Sequence, residues 1–93
     1  MNSIIQTEKE CFVCKTTQGL HSHHCMFGVG HRELSEKYGL KVWLCGKHHN
    51  LSDEGVHFNK DFDMYLKRLA QSKFNEVYTN LDFVKIFNKN YLE

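Results

Sequence analysis

Two short spacings constrain this chain more than anything else in it: Cys11-Phe12-Val13-Cys14, and further on Cys45-Gly46-Lys47-His48. A C-x2-C unit presents two thiolates to one ion, and C-x2-H supplies two more ligands, which completes the four-coordinate shell that structural zinc prefers. The chain is 93 residues long, so its core is modest and gains from reinforcement. A metal that closes a loop of about 30 residues removes disorder that such a core cannot offset alone. Four cysteines could instead form two disulfides, but the close pair and the seven accompanying histidines favour reduced, metal-binding thiols. The expected structural zinc shell is therefore Cys11, Cys14, Cys45 and His48. Cys25 is left over, as a small buried residue or an alternative ligand.

Twelve Lys and Arg against eleven Asp and Glu give a formal charge of +1, so no global basic field announces non-specific nucleic-acid binding. Any such contact has to come from a local patch, from bound cations or from helix N-termini. The opening MNSIIQTEKE lacks the apolar stretch of a signal peptide, and no run approaches the roughly 20 apolar residues that span a bilayer. These features predict a cytoplasmic protein with no membrane partner.

Residues 1–10 are polar and expected to be loose. Cys11 to Leu20 reads as a knuckle with a turn at KTTQG, and LHSHHCMF as a short extended segment. Gly28 to Gly39 suggests a loop enclosing a turn or short helix. LKVWLC is a strand in which Val42 and Leu44 point one way while Lys41 and Trp43 point the other. With the helix-compatible GKHHNLSDE it makes a ββα unit. Phe58, Phe62, Tyr65, Leu66, Leu69, Phe74 and Val77 follow a helical period, which predicts one helix over 59–78 capped by Asn59. LDFVKIF predicts a second, with Asp82 near its start. The aromatic residues of this half are core, with Trp43 packed against the long helix. The expectation is a small α+β protein with its metal chemistry in the first half and supporting helices in the second.

The zinc shell leaves His21, His23, His24, His31, His49 and His57 without a duty. Neighbours on a strand face opposite ways, so His23 and His24 suit a division of labour in which one holds a cation and the other faces the reacting group. His49 follows His48 on the helix, so it points away from the zinc and can meet His23. Gly55 is placed to end that helix and let His57 fold back as a third ligand. Asp53, one turn from His49, is an alternative ligand, and a histidine bonded between helices is the alternative role for His57. Arg32 offers a guanidinium fork for phosphate or an ordinary ion pair with Glu33, Glu36 or Glu54. Lys37, Lys41 and Lys47 are further phosphate candidates, with Lys47 adjacent to the zinc ligands. His21 and His31 look peripheral.

On these residues the chain resembles the HNH, or ββα-metal, nucleases (His-Me fingers), in the zinc-knuckle form found in small phage and prophage proteins. The resemblance covers Cys11 to His57 through C-x2-C, LHSHHCMFG and VWLCGKHHN. RELSEKYGL, GVHFN and the terminal aromatic helix extend it nearly to Leu92. It implies a single domain over 1–93, with knuckle and ββα-metal site in 11–57 and supporting helices in 58–93. It implies a divalent-metal-dependent DNA endonuclease, a hydrolase of phosphodiester bonds with little sequence specificity of its own. His24 would be the general base, and His23 and His49 would hold the catalytic cation. The implied cofactors are a structural Zn²⁺ and a catalytic Mg²⁺ or another divalent cation such as Mn²⁺, Ni²⁺ or Zn²⁺. The implied partners are DNA and a phage or host protein, in a packaging, recombination or defence setting, with the chain a monomer or homodimer. The family's central asparagine is absent, and the backbone, Ser35 or Tyr38 would have to substitute for it. The rival expectation is a catalytically inactive, zinc-stabilised DNA- or protein-binding module, such as a phage accessory protein or inhibitor.

Overall fold

A computed structural model describes residues 3–50 and 55–92. Its elements run in the order β1 (Leu20–His24), α1 (His31–Tyr38), β2 (Lys41–Cys45), α2 (Gly46–His49), α3 (Lys60–Val77) and α4 (Phe83–Phe87). The strands pair antiparallel, with Leu20 opposite Cys45, His21 opposite Leu44, Ser22 opposite Trp43, His23 opposite Val42 and His24 opposite Lys41. Because side chains alternate, His21 and His23 share one face of this sheet with Val42 and Leu44, while Ser22 and His24 share the other with Trp43 and Lys41. The connection between the strands contains α1, which stops at Gly39. That residue sits at φ 73°, where a side chain is disfavoured, and its N–H closes the helix onto the Ser35 carbonyl.

The face carrying Val42 and Leu44 belongs to the core. Both are fully buried in one cluster with Leu66, Ala70 and Phe74 of α3 and Phe83 and Phe87 of α4. Phe74 stands at its centre, with ring centroids 5.3 Å from Tyr38 and 5.4 Å from Phe83. The helical period expected over 59–78 is realised, and Asn59 caps it by accepting a hydrogen bond from Phe62 N at 3.0 Å. Asp82 caps α4 in the same way, accepting from Val84 N and Lys85 N. Gln71, buried on α3, donates to Asn90 Oδ1 and accepts from Tyr91 N, which fastens the C-terminal segment to the long helix.

Two expectations are corrected. The segment from Ser3 to Gln6 is not loose: Ser3 Oγ donates to the Lys41 carbonyl at 2.6 Å, Ile4 N to the Gly39 carbonyl at 3.0 Å, and Gln6 Oε1 accepts from Trp43 N at 2.8 Å. Phe12 N adds a bond to the Trp43 carbonyl. Together these groups satisfy the outer edge of β2, which would otherwise present open donors and acceptors. Trp43 accordingly lies under the N-terminal segment, with Lys9 Nζ 5.0 Å above its ring. The face opposite the core leaves it there. The part of GKHHNLSDE at 51–54, including Asp53 and Glu54, lies outside the described residues.

Candidate functional site

The knuckle is built from two local geometries. Cys11 N donates to the Thr16 carbonyl and Lys15 N to the Cys11 carbonyl, a tight turn in which Lys15 takes φ 66°, with the Cys11 thiol buried and Cys14 exposed. At the other end, Cys45 finishes β2 in an extended conformation and α2 starts at the next residue, so His48 comes round one turn to the side of Cys45. Cys14 and Cys45 sulfurs are 3.8 Å apart, and His48 Nδ1 lies 3.6 Å from Cys11 Sγ and 3.2 Å from Cys45 Sγ. A tetrahedron with metal–sulfur bonds of about 2.3 Å has edges of about 3.8 Å, so these separations fit a zinc ion at the centre. Burial pushes the Cys11 thiol up, but hydrogen bonds from the backbone of Cys14, Cys45 and Val13 outweigh it and bring it down to about 6, which favours a thiolate ligand. Cys25 is buried outside this cluster, and desolvation pushes it up to about 12. It behaves as a core residue.

A second cluster forms on the other side of α2. One residue further along the helix turns by about 100°, so His49 faces away from the knuckle and toward β1. Gly55 lets the chain return against the end of α2: Val56 N donates to the His48 carbonyl at 2.9 Å and His57 N to the His49 carbonyl at 3.2 Å. His23, His49 and His57 then converge, each offering a ring nitrogen within 4.8 Å of the others. His49 Nε2 and His57 Nε2 are 3.2 Å apart, close to the edge of about 3.3 Å expected for imidazole nitrogens about 2.0–2.1 Å from one metal. His23 Nε2 is buried and has no hydrogen-bond partner among the described residues, which a cation would remedy. Desolvation, with His49 and His57 alongside, holds His23 down to about 3, and desolvation with His57 and His21 holds His49 down to about 4. Both therefore keep the neutral, lone-pair-bearing form that binds metals.

A cluster of three cysteines and one histidine thus forms on one side of the strand–helix junction, with Cys11 and Cys14 brought in by the knuckle, and a separate three-histidine cluster forms on the other, with His57 brought in by the returning chain. This small ββα core, with its zinc-knuckle-like cluster and separate three-histidine cluster, is consistent with an HNH, or His-Me finger, fold. Comparison with protein-family models, with curated proteins and with solved structures yields no match, so the likeness rests on these residues and their geometry alone.

A cavity of about 200 Å³ opens beside the three-histidine cluster, lined by His23, His24, Phe27, Arg32, His49 and His57. His24 lines it together with Ser22, although both share the opposite sheet face from His23. Its side chain is 13% exposed, and Nε2 lies 2.9 Å from Glu36 Oε1. Arg32 enters the same lining from the exposed side of α1. Lys47 is exposed on α2 and is not among the residues lining the cavity. Phe27 forms a wall, 6.0 Å from the His23 ring and 5.5 Å from the His57 ring, with Lys67 Nζ 4.3 Å over its face.

Two features went unread in the sequence. His21 is not peripheral: its Nδ1 is 2.9 Å from His49 Nδ1, a hydrogen bond that turns the other nitrogen of His49 toward the cluster. The two-residue spacing of His21 and His23 was the available signal. Glu36 meets His24 through the packing of α1 over the sheet, for which no local pattern exists. Of the proposed substitutes for the missing asparagine, Ser35 is fully buried and braces the β1–α1 connection, donating to the Met26 carbonyl at 2.7 Å and accepting from Met26 N at 3.0 Å. Tyr38 instead packs against Phe74, Tyr78 and Phe87. His31 lies against Phe87, with centroids 5.5 Å apart.

Proposed function

We propose that this chain is a divalent-metal-dependent DNA endonuclease with little sequence preference of its own, folded as one domain in which 11–57 carries both metal sites and 58–93 supports them. The observation that carries this reading is the convergence of His23, His49 and His57 on one cavity that His24 and Arg32 also line. Three protein nitrogens leave coordination positions open for phosphate and water, whereas the Cys11, Cys14, Cys45 and His48 shell is full. A catalytic and a structural site are distinguished in this way.

In this reading His23, His49 and His57 hold the catalytic cation, and the knuckle holds zinc. A divalent cation held there would supply positive charge near the scissile phosphate and the leaving 3′ oxygen, and three imidazoles suit Ni²⁺ or Zn²⁺ better than Mg²⁺. His24 takes a proton from water as the water oxygen bonds to phosphorus, and the P–O3′ bond breaks in line with that attack. The 3′ oxygen takes its proton from solvent. Arg32 grips a non-bridging phosphate oxygen through its guanidinium. Phe27 and the core side chains beneath the cluster keep the far side of the histidines dry, which strengthens each charge interaction on the open side.

The test is cleavage of supercoiled plasmid with Mg²⁺, Mn²⁺, Ni²⁺ or EDTA, by the wild type and His24→Ala, with zinc quantified in both. Metal-dependent nicking lost in a folded, zinc-loaded His24→Ala protein supports the reading. No nicking by a folded, zinc-loaded wild type in any metal overturns it and favours a zinc-stabilised binding module.

A further inference from the structure

We propose that Glu36 is a positioning residue for His24, fixing its tautomer and ring orientation, and that Lys41 in turn holds Glu36. This rests on the reading of His24 as the base only for its catalytic consequence. The geometry stands by itself. His24 and Lys41 are directly opposed across the two strands, so their side chains leave the same face of the sheet side by side. Glu36, on the second turn of α1, spans the pair: Oε1 lies 2.9 Å from His24 Nε2 and Oε2 is hydrogen-bonded to Lys41 Nζ.

Glu36 itself is 58% exposed, yet both of its partners are largely enclosed, at 13% for His24 and 5% for Lys41. A lysine so nearly buried requires an anionic partner, and Glu36 is the carboxylate that supplies it. The carboxylate is thus held from one side and directed at the imidazole from the other. Hydrogen bonds from Lys41 and His24 keep the Glu36 carboxyl at about 2, so it is ionised and can only accept. The proton between Glu36 and His24 accordingly resides on Nε2, and Nδ1 is left as the lone-pair nitrogen. A general base needs that arrangement, one nitrogen tethered and the other bare. Ser35, the preceding residue, fixes the β1–α1 connection through both of its hydrogen bonds to Met26, so α1 meets the strand at a set distance.

The closing experiment reads the tautomer directly, by ring ¹⁵N NMR of His24 in the zinc-loaded full chain at pH 8, for the wild type and Glu36→Gln. The wild type is expected to show the Nε2–H form. In Glu36→Gln the amide oxygen stays on Lys41 and its NH₂ faces His24, so Nε2 becomes the acceptor and the tautomer reverses. Plasmid nicking then falls by about 10²-fold, the scale of lost general-base catalysis, with cation affinity unchanged within twofold. A loss of folding would move stability and cation affinity without reversing a tautomer. A wild-type Nδ1–H form overturns the proposal with no variant needed, and so does a Glu36→Gln protein with unchanged tautomer and rate. A wild type that fails to nick, but whose tautomer follows Glu36, supports the proposal while overturning the nuclease reading.

Discussion

Gly55→Ala tests how the three-histidine cluster is assembled, and its effect can be worked from the backbone. Gly55 does not use the left-handed region, so only space is at stake. A Cβ there would sit 2.8 Å from the His49 carbonyl oxygen, 2.9 Å from its carbon and 3.1 Å from Asn50 N, all backbone atoms that cannot swing aside. Ordinary contact begins at 3.4 Å, so the returning chain has to retreat by about 0.6 Å. The bonds from Val56 N and His57 N to α2, 2.9 and 3.2 Å long, take up that movement directly. Each is worth about 1 kcal/mol, and with the residual crowding the expected destabilisation is about 2–3 kcal/mol. The same retreat widens the 3.2 Å gap between His49 and His57 beyond what one ion can bridge. Mn²⁺ affinity, read by calorimetry on zinc-loaded protein, should fall on the order of 10–100-fold, the scale seen when a metal ligand loses its orientation. Zinc content and, in a cobalt-substituted sample, thiolate absorption of the knuckle should persist, since no knuckle ligand lies on the returning segment. A Gly55→Ala protein that binds Mn²⁺ as tightly as the wild type, with stability lowered by less than about 0.5 kcal/mol, would refute the assembly argued here.

Cys14→Ala should release the knuckle zinc and unfold the metal half despite the exposure of Cys14, because structural zinc contributes about 10–16 kcal/mol against a total stability of about 5–15 kcal/mol; circular dichroism and zinc quantification check it. Phe74→Ala removes a fully buried ring from the centre of the core and should cost about 3–5 kcal/mol in urea unfolding, with Mn²⁺ affinity of the folded fraction retained. Without added catalytic cation, acidification from pH 7.5 to 5.5 should cost about 1.4 kcal/mol through His23: held at about 3 when folded, it stays neutral while the unfolded chain gains a proton below its ordinary 6.5. That stability is complete above 6.5 and lost as pH falls toward 3, and in urea titrations at the two pH values His23→Gln should remove this share of the dependence while leaving the share due to His49, which is also held low.

What the sequence made legible was what short-range geometry determines. The C-x2-C and C-x2-H spacings bring four ligands together because a tight turn and a strand–helix junction each act within four residues. The long helix follows from its apolar period, and the return of His57 from a glycine at the point where only a glycine passes the end of α2. Contacts set by packing were not legible. Glu36 lies twelve positions from His24 and reaches it only because α1 covers that face of the sheet. Ser3 and Gln6 bind backbone groups of β2, and backbone acceptors leave no mark in the composition of the segment that binds them. His21 is the intermediate case, since its period-two relation to His23 was present but its partner His49 comes from across the junction.

The two clusters are mechanically joined at α2. His48 belongs to the knuckle and His49 to the three-histidine site, and the helix that separates them has four residues, Gly46–His49. A single turn of helix has no stability of its own, since its nucleation costs more than its few hydrogen bonds return. Its rotation about its axis is therefore set by what grips its side chains. On one side His48 Nδ1 lies against the Cys11 and Cys45 sulfurs, and on the other His49 Nδ1 bonds to His21. A knuckle ion that fixes His48 thereby fixes the direction of His49, whose ring nitrogen has to be placed to within a few tenths of an ångström to share an ion with His57. The two clusters are thus sequential rather than parallel features: an ion held in the knuckle would orient the helix on which the three-histidine cluster depends.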